Sequence, residues 1–197
     1  MGFWSNILGG NINESLKSNA SPTEQWLDAA ARNARSIFRA SEYHSQIAVT
    51  EQVAEEALTA AFLNCAFSVA MVQCQSKPDS RALGGVYKSF VDSVRVAAIA
   101  RYGQAFADYQ LMESHFTTEC NSVGEMCQRG RGSMMDRLIP AIIVLSSVWA
   151  VHALNGNSAV SKKFIPARTP ITMFAISLKS NFDEMVEAFM LRAADQC

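Results

Sequence analysis

Carboxylates at helical spacing are the residues in this chain best suited to chemistry. Glu51, Glu55 and Glu56 share one short stretch, and Asp183, Glu184 and Glu187 share another. Side chains three or four positions apart lie on one face of an α-helix. If Glu51 and Glu55 faced Glu184 and Glu187, the four would offer hard oxygen ligands to Mg²⁺ beside a phosphate-bearing ligand. That is the chemistry of a metal-dependent nucleotide phosphohydrolase of all-α type. The simpler expectation for both stretches is a solvated acidic face. Histidine offers less. A di-iron bundle needs Glu-x-x-His on two helices, and that motif occurs nowhere in the chain. His115 and Glu119 have the spacing of a helical surface pair, His152 sits inside an apolar run, and His44 follows Glu42 and Tyr43. No Ser–His–Asp or Cys–His arrangement is assigned by spacing, so no catalytic residue is named and no cofactor is expected.

Two basic segments are candidates for binding. Arg129 and Arg131 lie in a glycine-rich stretch, 128–133, just before an expected helix start. Backbone N–H groups at such a terminus favour an anion. The spacing is neither that of a phosphate-cradling Walker loop nor that of a dinucleotide fingerprint, and no strand precedes it. The second segment, 156–169, carries Lys162, Lys163, Phe164, Ile165 and Arg168. Helix connections in bundles usually take about 2–8 residues, and a longer one with apolar anchors in a charged rim fits a protein-docking site. The alternative is that Phe164 and Ile165 fold back to cover the end of the bundle.

Charge is segregated along the chain although its total is only −1. Residues 125–179 hold seven basic and two acidic residues, a net of +5, whereas 180–197 hold one basic and four acidic, a net of −3. The basic segments flank the same apolar helix at opposite ends, so they do not make one patch. With a pI near 6.3, no nucleic-acid partner is expected.

All of these groups fall on or between segments that read as helices. Hydrophobic residues make up 49% of the 197 and charged residues 18%, too apolar for a disordered chain. Glycine and proline are scarce, at 10 and 5, which disfavours a turn-rich β-sandwich. Ser21-Pro22-Thr23-Glu24 reads as a helix start with Ser21 as cap, Pro22 in the first turn and Glu24 completing a capping box. Trp26, Ala30, Ala34, Ile37, Phe38 and Ser41 then recur at helical steps. The Gly- and Pro-free run to Lys77 is too long for one ordinary helix. A break is expected around 44–50, with Thr50 capping a second helix to about Gln75. Gly84-Gly85 is expected to open a third, running towards Cys120 with a kink at Gly103. A fourth, bent near Pro140, spans 133–154. A fifth starts at Thr169-Pro170 and carries Ile171, Phe174, Leu178, Phe182, Met185 and Phe189 towards the core.

The expected fold is therefore all-α: an antiparallel bundle of about five long helices without a β-sheet. Residues 1–20 are expected to form a short amphipathic turn and linker, and 21–197 one domain. The five cysteines (Cys65, Cys74, Cys120, Cys127 and Cys197) form no CxxC pair and read as buried thiols of a reducing compartment, so a cytoplasmic location is expected. Two uncharged runs, 57–76 and 138–161, approach the length of a membrane span. Their internal Asn, Gln, Ser, Pro and His residues favour core helices. The leading functional expectation is a non-enzymatic protein-binding module of adaptor, inhibitor, chaperone or immunity type. Its partner is another protein, a second copy of the chain included. The alternatives are a membrane-associated helical protein using residues 1–10 or 138–154, and the phosphohydrolase above.

Overall fold

The computed structural model describes residues 20–40, 50–75, 77–103, 106, 138–143, 146, 150 and 179–195. These form an all-α helical bundle of about five helices, with no strand among the described residues. Four helices have defined ends: α1 (Pro22–Ala40), α2 (Glu51–Cys74), α3 (Ser80–Tyr102) and α4 (Lys179–Ala194). Residues 138–143, 146 and 150 are also helical.

Local chemistry sets the helix ends. The Glu24 N–H donates to Ser21 Oγ at 3.3 Å, which satisfies one of the donors that a helix start leaves without a partner. The Glu24 carboxylate does not close the expected capping box; it reaches Arg101 instead. Thr50 caps α2 as its spacing predicts, its Oγ1 accepting from the Val53 N–H at 3.3 Å. The third helix departs from expectation at its start. It starts at Ser80, so that Gly84 and Gly85 lie inside it, and it ends at Tyr102. Gly103 adopts φ 75° at the C-cap, where its N–H donates to Ile99 O at 2.8 Å. This positive-φ conformation is strained for any residue with a Cβ, so Gly103 interrupts the helix where the sequence places a kink; Phe106, just beyond it, is helical again, and the continuation towards Cys120 lies outside the described residues.

Helix α2 is the hub, touching α1, α3 and α4. It runs antiparallel to α1, because Arg35 pairs with Glu55 and Arg39 with Glu51. It is antiparallel to α3 as well, since Cys74 Sγ meets Ser80 O at one end and Glu55 meets the Tyr102 hydroxyl at the other. Buried Ala54, Ala57, Ala60, Ala66 and Ala70 let its neighbours approach closely. By length and hydropathy α2 could cross a membrane, yet most of that stretch is buried within the bundle. Leu138, Ile142, Ile143, Ser146 and Ala150, from the other apolar run, are buried too. The Ser146 hydroxyl is satisfied by donating to Ile142 O at 2.7 Å.

The core is built on aromatic contacts. Trp26, Ala30, Ala34 and Phe38 are buried from α1, and Phe182, Met185 and Phe189 from α4. Phe189 packs against Phe90 (centroids 5.0 Å apart), Tyr87 (6.1 Å) and Trp26 (6.2 Å). Phe62 meets Phe182 edge-on at 4.9 Å. The Trp26 indole N–H donates to Met185 O at 3.3 Å, so its polar edge is not left bare. The expected Ile171, Phe174 and Leu178 of the final stripe lie outside the described residues, as do residues 1–19 and the start of that helix.

Candidate functional site

Polar residues with helical spacing on α1 meet their complements on α2 and α3. Arg32, Arg35, Ser36 and Arg39 occupy successive turns of one α1 face and line an open groove of about 530 Å³. The α2 terminus supplies carboxylates at the same four-residue interval, in the opposite chain direction. Glu51 takes Nε and Nη2 of Arg39 at 3.1 and 2.7 Å, a two-pronged contact. Glu51 thereby raises the Arg39 pKa above its ordinary value, through that hydrogen bond and through charge attraction. Glu55 takes Arg35 Nη1 on one oxygen and the Tyr102 hydroxyl on the other, the latter at 2.7 Å.

The end of α3 completes this network. Tyr102 stacks on Phe106, with centroids 5.8 Å apart. The adjacent Arg101 pairs with Glu24 at 2.9 Å and Asp28 at 2.7 Å, both on α1. Two consecutive residues thus tie α3 to both α1 and α2. Burial, followed by the hydrogen bond to Glu55, pushes the Tyr102 phenol up to about 12 from an ordinary value of 10.0. The neighbouring Thr59 hydroxyl and Arg101 charge oppose that rise without cancelling it.

This shift has a defined consequence at high pH. Below pH 10 the phenol is protonated in folded and unfolded chains alike. Between pH 10 and about 12 only the unfolded chain releases the proton, so Tyr102's contribution to stability is lost as pH rises through that window. Alkaline titration of phenolate absorbance is expected to show a late component near pH 12 that disappears in Tyr102→Phe. Its persistence in that variant would assign it to another of the four tyrosines.

The expected metal ligands are not brought together. Glu51 and Glu55 are partnered by arginines, while Glu184 and Glu187 are exposed on α4. Partial shielding by its surroundings, then repulsion from Glu187, raises the Glu184 pKa above the usual carboxylate value. Among the described residues, no three His, Cys, Asp or Glu side chains gather to hold a metal. Glu56 is buried, with Gln52 Nε2 donating to its Oε1 at 3.3 Å. Arg129, Arg131, Lys162, Lys163, Phe164, Ile165 and Arg168 lie outside the described residues, as do His44, His115 and His152.

Sequence reading singled out none of Arg32, Arg35, Arg39, Arg101 or Tyr102 as functional. The usable signal was the i, i+3, i+7 arginine spacing, lying off the apolar stripe of α1. Comparison with protein-family models, curated proteins and solved structures finds no match to this chain.

Proposed function

We propose that the chain is a non-enzymatic protein-binding module. The observation that carries this reading is the groove on α1. There Arg32, Arg35 and Arg39 present cationic donors on an open surface, while the carboxylates opposite them serve as arginine partners. A divalent cation between Glu51 and Glu55 would have to displace those guanidiniums, which disfavours the phosphohydrolase alternative. Cys65 and Cys74 are buried thiols, which fits a reducing, cytoplasmic setting. The segment holding Lys162, Lys163, Phe164, Ile165 and Arg168 remains the second contact in this reading.

Capture of cross-linked partners by the full chain from its native host, followed by reconstitution from purified components, tests the module. A defined complex supports it. Recovery in the membrane fraction without a protein partner would favour the membrane-associated alternative. Mg²⁺-dependent phosphate release from nucleotides would favour the phosphohydrolase. Within the complex, Phe164→Ala is expected to weaken binding by ~2 kcal/mol or more, about thirtyfold, with little change in melting temperature. A fall in Tm with unchanged affinity would instead make Phe164 a cover for the end of the bundle.

A further inference from the structure

We infer that the groove lined by Arg32, Arg35, Ser36 and Arg39 receives an acidic helical segment of the partner protein, an inference that rests on the protein-binding reading. Arg32 to Arg39 span two turns of α1, about 10.5 Å along the axis. Carboxylates at positions i, i+4 and i+7 of a second helix running antiparallel to α1 cover the same distance at matching intervals. A guanidinium offers more N–H donors than one carboxylate can take up, so Arg35 and Arg39 keep donors beyond those used by Glu55 and Glu51. Their side chains remain 39% and 69% exposed despite these ion pairs. The α2 carboxylates therefore act as positioning groups, holding two guanidiniums along the groove while leaving their outer edges accessible. Arg32 is exposed in the same row and has no acidic partner among the described residues.

Charge selects the class of partner. The arginine row is only two helical turns long, and the whole chain carries a net charge of −1. Nucleic acid draws its affinity from many phosphate contacts and counterion release, which three arginines, two of them already ion-paired, do not supply. A protein helix with three carboxylates meets the groove one charge per turn. Ser36 adds a hydroxyl that accepts or donates between the arginine positions.

The test uses the full chain and a fluorescein-labelled, alanine-based helical peptide with Glu at i, i+4 and i+7. A reference peptide carries Gln at those three positions, and binding is followed by fluorescence anisotropy. The Glu peptide is expected to bind at least about tenfold more tightly than the Gln peptide, with affinity falling as NaCl is raised. Arg32→Glu should remove about tenfold or more of that affinity. Lys88→Glu, an equal charge change on the exposed face of α3, should leave it unchanged, and circular dichroism should match wild type for both. Equal binding of the two peptides would overturn the inference. So would equal losses in the two variants, or tighter Arg32-dependent binding of an oligonucleotide. The two levels separate in the host experiment: a partner retained equally by wild type and Arg32→Glu removes the groove but leaves the module. No partner for wild type removes the module itself.

Discussion

Phe189→Ala is expected to destabilise the bundle by about 3–5 kcal/mol, the range for removing a buried aromatic ring from a packed core. Phe189 is 0% exposed and contacts Trp26 of α1 together with Tyr87 and Phe90 of α3. Its loss opens a cavity where three helices meet, and rigid aromatic neighbours cannot collapse to fill it. Thermal and urea unfolding followed by circular dichroism should show a fall in Tm on the order of 10 °C. Leu191 is the internal control. It lies two residues along the same helix but is 60% exposed, so Leu191→Ala should stay within about 0.5 kcal/mol of wild type. Equal effects of the two substitutions would mean that this face of α4 is not the core.

The same residues show how much of the fold was legible in the sequence. Burial of Trp26, Ala30, Ala34 and Phe38, and of Phe182, Met185 and Phe189, follows from helical periodicity because a long apolar stripe has to be hidden somewhere. Thr50 announces its helix because a hydroxyl can satisfy a terminal N–H without help from distant residues. The glycines were less informative. Gly84-Gly85 suggests a helix start because glycine weakens a helix interior by roughly 1 kcal/mol per residue. Packing outweighs that cost here, and a Cβ built on Gly84 would lie 3.5 Å from the Met71 methyl of α2. Gly103 looks much the same in sequence, yet it adopts the positive-φ conformation that ends α3. Residue type alone does not distinguish these uses.

The candidate site was legible within helices and illegible between them. The interval between Glu51 and Glu55 marks one helical face, but sequence does not say which face it meets. Pairing them with Glu184 and Glu187 suggested a metal site, whereas Arg39 and Arg35 occupy that place in the structure. The matching four-residue steps of Arg35/Arg39 and Glu51/Glu55 become interpretable once α1 and α2 are known to be antiparallel neighbours. Tyr102 and Arg101 are harder still to foresee. They reach Glu55 and Glu24 across 47 and 77 residues of chain, respectively, and nothing in their local context announces either contact.

Those long-range ties make Glu55 the polar residue on which most depends. Its carboxylate joins α1 to α3 through α2, with one oxygen on Arg35 and the other on the Tyr102 hydroxyl. Its side chain is only 12% exposed, so water does not readily replace a lost partner. Glu55→Ala is expected to cost about 1.5–3 kcal/mol at neutral pH, the range for a hydrogen bond to a charged group with its partners left wanting. Glu51→Ala removes the neighbouring but solvent-exposed pair with Arg39 and should leave Tm nearly unchanged. Glu55→Gln should fall between the two, because its amide oxygen can still accept from Tyr102 while the charge facing Arg35 is gone. A double-mutant cycle of Glu55→Ala with Tyr102→Phe isolates the tie to α3 and should show clear non-additivity. In Glu55→Ala the Tyr102 phenol should also ionise below its wild-type value of about 12, though burial, the larger cause, keeps it above 10.0. Additive losses with an unmoved phenol would show that Tyr102 is held by its stacking on Phe106, and that the α2–α3 tie adds little to the network around the groove.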